Sequence, residues 1–225
     1  MSNNHISDLL KVVFVPIHKE GFKFIMIFAF VTIIFALLNN TMGTIGLVLT
    51  LWCVFFFRDP QRFTPAGENL VISPADGVVN LIEQNATPPE ELGLARNDWT
   101  KISIFLNVFN VHVNRAPIAG TITKVNYKPG KFLSANLEEA SAENERNAAI
   151  VKTKNGEQIV FVQVAGLVAR RIISDLKEGQ EVAAGDRYGI IRFGSRADIY
   201  LPKTTKIKAL VGQTMVGGET VIAEL

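Results

Sequence analysis

Between Phe22 and Phe57 the chain carries two apolar runs that restrict its architecture more than any other stretch. Phe22 to Leu38 is almost unbroken, and Ile45 to Phe57 forms a second run that stops abruptly at Arg58-Asp59-Pro60. Asn39-Asn40-Thr41 separates them, with Gly43 just after. Each run is somewhat short of the roughly 20 residues that cross a bilayer. Two such runs joined by a tight polar turn predict a membrane helical hairpin, spanning with local thinning or lying partly embedded. The alternatives are a buried core hairpin or a signal peptide. A signal peptide carries one short apolar core before its cleavage site, whereas here a second apolar run follows. Lys11, His18, Lys19 and Lys23 on one side, and Arg58 and Arg62 on the other, predict that both ends lie in the cytoplasm. Arg58 and Arg62 also suit contact with anionic lipid. The anchor is expected to occupy residues 1–64, with apolar runs at about 22–38 and 43–57. Cys53 reads as a small apolar residue facing lipid or the other helix.

Composition narrows the function. The hydrophobic fraction of 48% is high for a soluble domain, and the excess sits near the N-terminus. A net charge of +2 with 20% charged residues advertises no nucleic-acid-binding face. One cysteine and three histidines (His5, His18 and His112) build neither a disulfide framework nor a Cys/His zinc site, so no metal is expected.

Beyond Val71 the character changes to short strands and turns. Ile72 to Val79 reads as strand, turn, strand, and Thr87 to Arg96 as a loop or short helix. Lys101 to Val113 alternates and is rich in β-branched and aromatic residues, which predicts a strand carrying His112. Leu133 to Asn147 reads as a polar, acidic loop. Ala149 to Val164 is a predicted hairpin turned at Asn155-Gly156. Glu178-Gly179-Gln180-Glu181-Val182, followed by Gly185-Asp186, predicts two turns around a short strand, a spacing similar to lipoyl- and biotinyl-carrier hairpins. Residues 65–225 are therefore expected to form a mainly β domain of the barrel or sandwich-hybrid kind.

Gly194-Ser195 lies between two apolar-alternating runs, Tyr188 to Phe193 and Ile199 to Leu201. Turn chemistry alone explains a Gly-Ser pair there. The same pair allows a chain to cut itself. The Ser195 hydroxyl attacks the preceding carbonyl carbon, the amide becomes an ester, β-elimination leaves dehydroalanine, and hydrolysis leaves a pyruvoyl group.

Several further stretches fall in a consistent order: Phe56-Phe57-Arg58-Asp59-Pro60-Gln61-Arg62, Ser73-Pro74-Ala75-Asp76-Gly77, Asn107 to Arg115, Asn144-Glu145-Arg146-Asn147 and Phe193-Gly194-Ser195. Together they resemble the short, membrane-bound bacterial form of the phosphatidylserine decarboxylase family. The resemblance implies self-cleavage into a large chain, 1–194, and a small chain, 195–225, that stay together as a heterodimer. Ser195 would become a pyruvoyl cofactor that forms a Schiff base with phosphatidylserine and takes up electrons as CO2 leaves. It further implies Asp76 as the carboxylate supporting self-cleavage and His112 as general acid/base. Arg115, Asn144, Glu145 and Arg146 would meet the headgroup. The longer family form carries two histidines three residues apart; here the second position is Arg115. His112 then serves both steps, or Asp76 acts through another group. The implied location is the cytoplasmic side of the inner membrane. Two alternatives stand beside it: a non-enzymatic, membrane-tethered β-barrel or carrier-like adaptor, and the same chemistry on another serine-headgroup lipid.

Overall fold

The computed structural model describes residues 15–67, 69–95, 98–130, 143–166, 171–192 and 195–225. His5, Lys11, Phe193, Gly194 and most of the acidic stretch after Leu133 lie outside the described residues. The described chain divides into two compact units, 1–61 and 62–225.

The first unit is a helical hairpin of α1 (Gly21–Leu38) and α2 (Asn40–Phe56). Asn39 alone makes the turn: its extended backbone breaks the first helix, and its side chain accepts from the amides of Thr41 and Met42 to cap the second. The helices approach where side chains are small, Gly43 lying on Ala36 and Gly46 on Thr32. Thr32 and Thr50 share a hydrogen bond at 2.9 Å across this contact. Phe30, Ile33, Leu37, Val48 and Leu51 remain exposed. Helix α1, 18 residues with a mean hydropathy of 2.5, is long and apolar enough to cross a membrane, whereas α2 is shorter.

The second unit makes the protein mainly β. Its strands are β1 (Leu70–Ile72), β2 (Gly77–Ala86), β3 (Trp99–Leu106), β4 (Val113–Arg115), β5 (Gly120–Lys128), β6 (Arg146–Lys152) and β7 (Gln158–Ala165). There follow β8 (Arg171–Ser174), β9 (Glu181–Val182), β10 (Arg187–Arg192), β11 (Ser195–Pro202), β12 (Lys206–Ile207), β13 (Thr214–Met215) and β14 (Val221–Glu224). Among the described residues they form one curled eight-stranded antiparallel sheet, β13-β2-β3-β11-β7-β6-β5-β9, and two three-stranded sheets, β1-β14-β12 and β4-β10-β8. Strand β11 runs between β3 and β7, with Ser195 opposite both Leu106 and Ala165. Because side chains alternate across a strand, Ala197, Ile199 and Leu201 join the main core, while Tyr200 joins a smaller cluster with Trp99, Val160, Val162 and Val164 on the other face.

Two local expectations need correction. The strand predicted from Lys101 to Val113 ends at Leu106. Asn107 Oδ1 accepts from the Phe109 amide and Asn110 Oδ1 from the Asn107 amide, so the two asparagines close a turn that displaces the ladder. His112 therefore sits in the connection leading to β4. Arg146 and Asn147, placed in a loop by polarity, begin β6 instead, where pairing with β5 and β7 overrides composition.

Gly77 has φ +153°, and a Cβ there would run into the Phe105 carbonyl oxygen. Gly156, at the hairpin turn, has φ +90° and open space around it. Gly77→Ala is expected to cost about 2–4 kcal/mol of stability, whereas Gly156→Ala costs only about 1 kcal/mol. Denaturant unfolding of the detergent-solubilised protein checks the ranking.

Candidate active site

The start of β11 gathers most of the residues singled out from the sequence. Ser195 opens this strand, fully buried, and its Oγ has no hydrogen-bond partner among the described residues. Its register partner Ala165 packs with Ile172 and Ile191. The end of β7 is held by the loop before β6: Asn144 Nδ2 donates to the Ala165 carbonyl at 2.7 Å, and the Ala165 amide donates to the Glu145 carbonyl at 2.9 Å. Glu145 Oε1 also accepts from the Ile172 amide at 3.1 Å. Asn144 and Glu145 thus brace the strand end beside Ser195.

His112 reaches the same end of the sheet from β3. Its carbonyl accepts from the Ile191 amide at 3.2 Å, and its ring is completely buried. Nδ1 lies 3.0 Å from the Asn110 carbonyl oxygen. A carbonyl only accepts, so Nδ1 carries the proton of the neutral ring and Nε2 presents the lone pair.

Asp76 precedes Gly77 on β2, where Val78 pairs with Phe105; Phe105 in turn pairs with Arg196 of β11. Asp76 is thus two strand spacings from β11, about 10 Å. Its carboxylate accepts both Arg62 contacts, at 2.8 and 3.0 Å, and the Gly217 amide at 2.7 Å. Arg62, for which the sequence left anionic-lipid contact and a specific role equally open, is the cation that holds Asp76. Its sequence signal was only its place in the Arg-Asp-Pro-Gln-Arg stretch. Arg115 lies against the adjoining Gly218 and donates to the Gly185 carbonyl at 2.9 Å.

Arg146 is placed differently. It pairs with Val164, which also pairs with Arg196, so both arginines occupy the face of the sheet opposite Ser195. There Arg146 grips Glu91 at 2.6 and 2.9 Å and holds that carboxyl below the ordinary glutamate range. The same face contains an ion pair absent from the sequence reading, Arg196–Asp198 at 2.8 Å, with side chains 2% and 1% exposed. An Arg-x-Asp spacing within a strand puts both groups on one face and was the available signal. Burial pushes the neighbouring Tyr200 hydroxyl well above its ordinary value.

The model of the phosphatidylserine decarboxylase family matches residues 49–223. A phosphatidylserine decarboxylase proenzyme of Cereibacter sphaeroides is 54% identical over 218 residues, covering 97% of this chain and 94% of that protein. Proenzymes of the same description from Rickettsia akari and Rickettsia felis are each 53% identical, covering 97% of this chain and 92% of theirs.

The Arg62–Asp76 contact is testable by a double-mutant cycle. Arg62→Gln and Asp76→Asn are each expected to destabilise by about 1.5–3 kcal/mol. The double variant should lose less than their sum by at least about 1 kcal/mol, read from chemical unfolding.

Proposed function

The chain belongs to the phosphatidylserine decarboxylase family and converts phosphatidylserine to phosphatidylethanolamine with release of CO2, and from that premise we infer that it is made as a precursor cut between Gly194 and Ser195. The products would be residues 1–194 and 195–225, with Ser195 converted to a pyruvoyl group. The observation that carries this reading is the buried Ser195 Oγ, without a hydrogen-bond partner among the described residues, at the head of a central strand. An unsatisfied hydroxyl costs about 1–3 kcal/mol in such a place. The apolar wall of Ala165, Ile172 and Ile191 suits a small methyl ketone better. The group supplies an electrophilic carbonyl that accepts the electron pair left when CO2 departs.

The chain's own residues do the rest. Strand β11 pairs along its length with β3 and along its first six residues with β7, so residue 195 stays in place after the backbone is cut and the two chains remain together. His112, its Nδ1–H directed to the Asn110 carbonyl, takes a proton from water at Nε2 and passes that proton to the substrate α-carbon. Asp76 is the carboxylate of self-cleavage, held ready by Arg62 and the Gly217 amide. Arg115, Asn144 and Glu145 border the headgroup; Arg146, on the other face, serves headgroup binding by fixing the start of β6. The apolar helix pair associates the protein with the membrane that holds its lipid substrate, and the flanking Lys19, Lys23 and Arg58 favour a cytoplasmic catalytic unit.

Ser195→Ala is expected to remain a single 24.8 kDa chain without decarboxylase activity, whereas the unmodified protein yields a 31-residue fragment with a blocked N-terminus. Intact mass under denaturing conditions decides this; a cut or active variant would overturn the reading. His112→Ala should lower turnover at least about 100-fold in whatever protein is cut, measured as CO2 released from phosphatidylserine vesicles.

A further inference from the structure

Asn114, Gln163 and Asn147 take no part in the chemistry above, yet they form a buried polar relay beside it. Asn147 Nδ2 donates to Gln163 Oε1 at 3.2 Å, and Gln163 Nε2 donates to Asn114 Oδ1 at 2.9 Å. Asn114 and Gln163 are fully buried and Asn147 is 4% exposed. The relay uses both amide oxygens along its course and ends on Asn114 Nδ2, which is buried and has no hydrogen-bond partner among the described residues. Leaving such a donor unpaired costs about 1–3 kcal/mol, so its retention points to a use.

Its position points to that use. Gln163 shares a sheet face with Ala165, the register partner of Ser195, and two residues along a strand separate them by about 7 Å. Asn114, on β4, pairs with Gly189 of β10, the strand that leads towards Ser195. Gly189 lies close to the relay: a Cβ there would run into the Ile173 carbonyl oxygen and come within 3.1 Å of Gln163 Nε2. Asn114 is also two residues from His112. The relay therefore lies on the Ser195 side of β7, with Asn114 reaching Gln163 from the sheet of β4.

We propose that Asn114 is a specificity-determining residue whose Nδ2 donates to a carboxylate oxygen of the serine headgroup. This rests on Ser195 being the reacting centre. A neutral donor suits a carboxylate that must leave as uncharged CO2. A lysine or arginine would hold the starting anion more tightly than the transition state and so slow its loss. An amide orients the group with a weaker grip, and the apolar wall of Ile172 and Ile191 favours the dispersing charge. A headgroup lacking the carboxylate has nothing for this donor to meet.

The test uses the mature, full-length protein and two unreactive probes in titration calorimetry. One is the glycerophosphoryl ester of 3-hydroxypropionate, which has the carboxylate but no amine; the other is that of ethanol, which has neither. The unmodified protein should prefer the first by about tenfold, the value of one hydrogen bond to a charged group. Asn114→Ala removes both donor and acceptor and should be cut normally and bind the two probes equally; Asn114→Asp keeps the acceptor for Gln163 but sets a carboxylate against the first probe's, and should bind that probe no better than the second. A preserved preference in either variant, or no preference in the unmodified protein, overturns the proposal. If the Asn114 variants do not fold, Gln163→Leu carries the test: a reduced preference supports the relay and an unchanged one overturns it. A denaturing gel of the same samples separates the two readings, because an uncut unmodified protein sinks the assignment of Ser195 instead.

Discussion

The placement of β11 between β3 and β7 is the constraint from which the rest of this structure follows. A central strand is bonded along both edges, so its position does not depend on the covalent bond at its start. The first residue of such a strand can change chemically while its neighbours hold it in register. Were the chain cut at residue 194, an edge strand would fray at the new terminus and carry residue 195 away from its neighbours. The same ladder sets Leu106 and Ala165 on either side of Ser195. Through their connections it draws in His112 on one side and the Asn144–Glu145 brace on the other.

Alternation along β11 then separates two environments a single residue apart. Next to Ser195 one face is walled by Ala165, Ile172 and Ile191 and carries only the uncharged Asn147–Gln163–Asn114 amides, which suits a reaction that disperses charge. The opposite face carries the Arg196–Asp198 pair, Tyr200 and the Arg146–Glu91 pair. A buried ion pair contributes little net stability, because desolvation offsets most of the attraction. It does penalise any slip of register, since a one-residue shift would carry both charges into the apolar face. The pair thereby fixes the register of β11.

Asp76 shows how contacts distant in sequence make a site. Its two ligands come from Arg62, ahead of the first strand, and from Gly217, near the C-terminus. Thr64 reinforces the junction by donating to the Gly218 carbonyl, as does the Phe63 amide by donating to Glu219. If the chain is cut at residue 194, Asp76 and Arg62 lie in the large fragment and Gly217 in the small one. The carboxylate then ties the two together at a point well removed from β11.

Much of this protein was legible in the sequence because the deciding interactions are local. The apolar runs dictate a helical hairpin whatever surrounds them, and Asn155-Gly156 turns its hairpin through backbone conformations that glycine permits. The glycine-bounded strands are equally local signals. Other features depended on tertiary structure. The break in the ladder after Leu106 was hidden by an apolar pattern that reads through it, because the two asparagine caps act against the periodicity. Arg62 could not be matched to Asp76 from spacing alone, nor Arg146 assigned to the face away from Ser195. Each depends on which strands become neighbours and in what register, and a one-residue difference in register reverses the face. Local chemistry chose the elements; long-range strand pairing decided which side chains meet at the head of β11.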